Sequence, residues 1–143
     1  MDRSEFERLR DLPDKSIDED VVLQRSRDMS PLLFAVVPIR NSAGVDARVR
    51  VELNEKTDSK TINVVISGIG PICRLDIDGK EHKDFGNSHK HSLKLSDCSH
   101  PSVNLSRKIE KRADLSGKDI KDVFTDFCQK ANITHHGLFR VIP

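Results

Sequence analysis

The sequence predicts an α+β fold: an antiparallel sheet of about five strands, with a C-terminal amphipathic helix packed on one face and short N-terminal helices beside it. Three observations carry this expectation. Residues 45–53 alternate strictly, with Val45, Ala47, Val49, Val51 and Leu53 on one side and Asp46, Arg48, Arg50 and Glu52 on the other. That is the period of a strand with one dry face and one wet face. Neighbouring runs of this kind are joined by segments too short for the crossover that parallel strands need, so they form an antiparallel meander. Near the C-terminus, Ile120, Val123, Phe124, Phe127, Cys128 and Ala131 recur at helical spacing.

In chain order, Ser4-Glu-Phe-Glu7 has the form of a capping box, which starts a short helix that runs to about Leu12 and stops at Pro13. Ser16-Ile-Asp-Glu19 repeats the box, and residues 17–23 read either as a second short helix or, through Val21-Val-Leu23, as a strand. Leu32–Val37 is the most apolar run and reads as a buried strand, with Pro38 placing its end at an edge or a bulge because proline has no N–H to donate. Asn41-Ser-Ala-Gly44 is a turn into the alternating strand, and Asn54–Lys60 is a polar hairpin loop. Ile62, Val64 and Ile66 line the next strand, which ends at the turn Gly68-Ile-Gly70. Cys73, Leu75 and Ile77 line the one after. His89–Leu95 follows as a further strand. Residues 99–114 have no clear period, although Lys108–Arg112 suits a helical turn or an edge strand. Ser116 caps the C-terminal helix, Asn132 stops it, and Leu138–Ile142 adds a last short strand.

A chain of 143 residues is expected to form one domain, 1–143, with a modest core of Val, Ile and Leu, since it has no Trp or Tyr. Its formal net charge of +1 argues against a strongly basic nucleic-acid binder judged on totals. Local balance differs: Lys80–Arg112 holds eight Lys or Arg against four Asp or Glu, and four histidines besides. No run approaches the roughly 18 to 20 apolar residues of a membrane span, and Met-Asp-Arg-Ser-Glu is too charged for a signal peptide, so the expected location is cytoplasmic, with no membrane partner. Cys73, Cys98 and Cys128 then read as reduced thiols, the first and last of them buried.

Candidate chemistry crowds into residues 74–91, Arg-Leu-Asp-Ile-Asp-Gly-Lys-Glu-His-Lys-Asp-Phe-Gly-Asn-Ser-His-Lys-His. Strand alternation puts His89 and His91 on one face, and in a plain hairpin Leu75 and Ile77 share it while Arg74 and Asp76 point away. Joining Asp76 to the histidines then needs a bulge or twist. Asp78, His82 and Asp84, in or beside the loop, are not restricted in this way. Two chemistries suit the set. His89 and His91, with His82 or a carboxylate such as Asp78, have the spacing to take a divalent metal such as zinc. Alternatively, His82, His89 or His91 acts as general acid or base while Arg74 or the loop lysines hold a phosphate, which is how a metal-independent ribonuclease works. The plain structural alternative is hydrogen-bonded histidines at a sheet edge. Elsewhere, His135-His136 follows a helix end, where protonated imidazole complements the helix dipole. Arg48 and Arg50 on the wet strand face are solvated or contact a partner.

The run Ile72-Cys-Arg-Leu-Asp-Ile-Asp-Gly79, then His82 and His89-x-His91, together with Glu5–Leu9 at the start and the segment 122–133 at the end, resembles an uncharacterised family of small bacterial, prophage-associated proteins. Their shared core is leucine-arginine-leucine-aspartate-isoleucine-x-glycine followed by a spaced His and a His-x-His. Here Cys73 stands in place of the first leucine, and residues 94–114 lack the aromatics expected after the His-x-His. The pattern also looks distantly like that of histidine-rich toxins of toxin–antitoxin modules. The likeness implies a mobile-element accessory protein acting on RNA as a small RNase-like toxin, with Arg74, Asp76, His82, His89 and His91 as its working residues. The alternative is a non-enzymatic protein that binds and modulates an antitoxin or a host or phage protein.

Overall fold

The computed structural model describes residues 3–27, 29–79, 87–91 and 109–143, with the segment His89–His91 placed by its backbone register. Helix α1 (Arg3–Arg10) sends Phe6 and Leu9 into the core, and Leu12 follows them before Pro13. Ser4 lies inside this helix and is not its cap. The second N-terminal helix does not form. Residues 16–25 instead hold the strands β1 (Ser16–Ile17) and β2 (Val21–Arg25). Val21 and Leu23 are fully buried while the residues between and after them are not, so the segment keeps a period of two.

Strands β3 (Leu32–Ile39), β4 (Ala47–Asn54), β5 (Ser59–Ile66), β6 (Gly70–Ile77), β7 (His89–His91) and β8 (Ile109–Lys111) form the expected antiparallel meander. After α2 (Ile120–Ala131) come β9 (Thr134–His135), parallel to β1, and β10 (Phe139–Val141), parallel to β2. Among the described residues the main sheet thus has eight strands in the order β10-β2-β3-β4-β5-β6-β7-β8, not about five. The additions are the short strands β2 and β8, which the sequence offers only as alternatives to helix, and β10, its expected last short strand.

β3 is half-buried rather than buried throughout. Leu33, Ala35, Val37 and Ile39 face the core, while Val36 is 40% exposed. Because β2 pairs with β3 only at Gln24/Phe34 and Arg25/Leu33, Pro38 sits beyond that pairing, where its missing N–H costs no ladder bond to β2. In the turn before β4, Asn41 accepts from Val45 N–H at 3.1 Å and donates to Val45 C=O at 2.8 Å. Gly44 takes the left-handed φ of +69° that this closure needs.

The dry face of the sheet and the apolar sides of α1 and α2 form one buried cluster, with α1 against β6 and α2 against β5 and β9. All six apolar residues read at helical spacing in α2 are buried. Its cap is Asp119, which accepts from Asp122 N–H at 2.9 Å, and not Ser116, which is engaged elsewhere. Asn132 ends the helix in the left-handed conformation, φ +56°, as expected. Cys73 and Cys128 are buried free thiols, and burial pushes the Cys128 thiol up to about 12, so it stays protonated. Among the described residues, no helix is long and apolar enough to cross a membrane.

Candidate functional site

The strand ladder decides which positions share the wet face. Across β4, β5, β6, β7 and β8 one row runs Glu52, Thr61, Asp76, His89, Lys111, and the row beside it runs Arg50, Asn63, Arg74. β7 pairs Asp76 with His89 and Leu75 with Lys90. Opposite residues of an antiparallel pair belong to one face. The expected division, in which Leu75 and Ile77 share the histidines' face and Asp76 points away, is therefore reversed. The reason is register: alternation along each strand says nothing of which parity meets which, and one residue more or less in the connection exchanges the faces. Asp76 needs no bulge to stand opposite His89.

Around Asp76 the described side chains are engaged. Arg74 Nε lies 2.8 Å from Asp76 Oδ2, and Thr61 Oγ1 donates to Asp76 Oδ1 at 3.0 Å. One row away, Asn63 Oδ1 is buried and has no hydrogen-bond partner among the described residues, so it is an acceptor that asks for a donor. Arg50 pairs with Glu52 and lies over the Phe34 ring, 4.7 Å from its centroid.

Asp78 is apart from this row. Its carboxylate collects four donors: Lys60 Nζ at 3.4 Å, Ser88 Oγ at 3.3 Å, Ser116 Oγ, and Gly117 N–H at 2.8 Å. A carboxylate has about four acceptor sites, so a metal at Asp78 would have to displace one of these donors. Among the described residues, no three His, Cys, Asp or Glu side chains gather as ligands would. His82 and Asp84 lie outside the described residues.

Lys60 is the residue that the sequence reading misplaced. Its composition suits a polar loop, but it is the second residue of β5 and only 1% exposed, and its Nζ also lies 3.2 Å from Asp58 Oδ2. The signal was present, because the period of Ile62, Val64 and Ile66 extended backwards puts residue 60 on the dry face. Arg112, 6% exposed, is a second buried cation, held by Asp114 through two 3.0 Å bonds and by Asp126 at 2.8 Å. His135 does not cap α2. Its Nε2 lies 3.0 Å from Glu19 C=O, and its ring meets Phe124 edge-on.

Burial raises the Asp78 carboxyl, but hydrogen bonds from Ser116, Gly117 N–H and Lys60 together outweigh it and hold the carboxyl below its usual range. Asp114 is lowered as well, chiefly by its bond to Arg112. A carboxyl lowered in the folded state adds stability above its unfolded value, about 3.9, and that stability is lost as pH falls through the folded value. The thermal midpoint is thus expected to be nearly flat from neutral pH to about 5 and to drop below about pH 4. Asp78→Asn should flatten part of the drop, and melts from pH 2 to 7 that show the same slope in both proteins would exclude Asp78 as a source.

No family model, no curated protein and no solved structure matches the chain.

Proposed function

We propose that the wet face around Asp76 acts on RNA, as in a small RNase-like toxin of a mobile element. The observation that carries this reading is the ladder position of His89 opposite Asp76, with Arg74 2.8 Å from the same carboxylate. A histidine at a ladder position opposite a carboxylate suits a general base, and a guanidinium on that carboxylate suits a phosphodiester whose charge grows in the transition state. In the reaction, one histidine of His82, His89 and His91 takes the proton of a ribose 2′-hydroxyl as its oxygen attacks phosphorus. A second histidine protonates the leaving 5′-oxygen, giving a 2′,3′-cyclic phosphate and a free 5′-hydroxyl. Asp76 orients and Arg74 binds the non-bridging oxygens. Asn63 Oδ1, in the ladder row next to Asp76, suits a sugar hydroxyl. No metal enters this scheme. The zinc alternative takes His89 and His91 with His82 or a carboxylate as third ligand, and elemental analysis of purified protein decides it.

Controlled expression tests the reading. Induction of the wild type is expected to arrest growth and shorten cellular RNA, while Asp76→Ala and the double substitution His89→Ala with His91→Ala should be harmless at least about a hundredfold in viable count, reflecting the typical worth of acid–base groups. Circular dichroism checks that the variants fold. A harmless wild type, or variants as toxic as it, removes the reading.

A second reading, a non-enzymatic protein that binds an antitoxin or a host or phage protein, is favoured by one feature of the same face. Arg48 lies 3.8 Å from Asp46, Arg50 pairs with Glu52 and Arg74 with Asp76, so each arginine is partly balanced along its own strand. Phosphate tracking draws on uncompensated cations. A mixed surface with Phe34 and Val36 beside an open groove between β2 and β3 suits a protein instead.

A further inference from the structure

We propose that Asp78 is the positioning residue of the candidate site, the group that holds β7 in register against β6 so that His89 stands opposite Asp76. Its consequence for RNA chemistry rests on the reading above, but its structural content does not. Among the described residues the β6–β7 ladder comprises two pairs, Leu75/Lys90 and Asp76/His89, so the bonds beside it bear directly on its register. A slip of one residue would put position 89 opposite Leu75 or Ile77 instead of Asp76.

What pins the register is next to it. At the end of β6, Asp78 adopts the left-handed φ of +55°, unfavourable for a residue with a Cβ, and so turns the chain out of the sheet. There its N–H donates to Ser88 Oγ at 2.9 Å, and its Oδ1 accepts from the same hydroxyl at 3.3 Å. Ser88 is 2% exposed and immediately precedes His89. Gly79 N–H to Asn87 C=O at 2.9 Å closes the base of the loop, and Arg112 N–H to Ser88 C=O, also 2.9 Å, ties in the residue after β8. The remaining lone pairs of Asp78 reach Lys60 on β5 and the Ser116-Gly117 turn before α2. One carboxylate therefore joins the dry-face strand β5, the two strands of the site and the lead-in to the helix. Its lowered pKa accords with this, since the charged form is the one that all four donors select.

Amide hydrogen exchange separates positioning from plain stability. Lys60→Met leaves Asp78 bonded to Ser88, Ser116 and Gly117, so the amides of Gly79 and Arg112 should keep their protection. Adding Asp78→Ala in that background, which avoids stranding a buried ammonium, should speed exchange at these two amides by at least about thirtyfold while amides of β4 change by less than about threefold, the pattern of a local opening. Asp78→Asn in the same background, still able to accept from the serines, should fall between. Unchanged protection at Gly79 and Arg112 in the double variant, or loss in step with β4, overturns the proposal. The readout needs no activity, so a wild type that proves harmless in cells defeats the RNA reading and leaves this result standing, and the reverse outcome is equally visible.

Discussion

Asp78→Ala in the otherwise native chain is expected to cost about 3–5 kcal/mol, whereas Lys60→Met should cost less than about 1 kcal/mol or even stabilise. The two residues are partners, yet removing one is unlike removing the other. Lys60 is 1% exposed, and among the described residues its ammonium without Asp78 keeps Asp58 at 3.2 Å, whose side chain is 69% exposed. That is a buried charge with its compensation removed, together with the loss of bonds to Ser88, Ser116 and Gly117. Lys60→Met instead replaces a buried cation by an unbranched apolar chain of similar length in a row shared with Ile62. Asp78, whose side chain is 18% exposed, retains three donors and some water. Urea midpoints at pH 7 compare the two directly, and equal losses would show that the ion pair does not have the asymmetry drawn here.

Phe127→Ala is the second large effect, about 3–5 kcal/mol, from lost burial and the cavity left behind. Phe127 is 0% exposed in the middle of the buried side of α2, flanked on that side by Val123, Phe124 and Ala131. The cluster it fills is closed by the sheet, so collapse around a missing ring is limited. Gln129→Ala, on the exposed side of the same helix, should stay within about 0.5 kcal/mol and serves as the control. A Phe127→Ala loss no larger than that of Gln129→Ala, by thermal or urea unfolding, would mean that α2 is not seated as described.

Patterns within one element were legible in the residues. The alternation of 45–53, the helical spacing of 120–131, the left-handed stop at Asn132 and the turn at Gly68 all follow from preferences that act over a few residues. Residues 17–23 were ambiguous because a stretch that short satisfies both periods, and parallel pairing with β10, more than a hundred residues later, settles it as a strand. At Lys60 composition and period disagree: a charged residue after a polar turn suits a loop, while the period of β5 places it on the dry face.

The candidate site shows where that legibility ends. By itself the sequence determined that Arg74 and Asp76 share one side of a strand, that His89 and His91 share one side of another, and that a dry face lies between alternate residues, because side-chain direction is set by the local backbone. Only the tertiary structure decided that Asp76 meets His89 and that Asp78 is committed to Lys60, Ser88, Ser116 and Gly117. Register depends on how the connection closes, and a single residue of slip inverts it. The donors that set Asp78 come from β5, from the residue before β7 and from the turn before α2, segments that no local rule brings together.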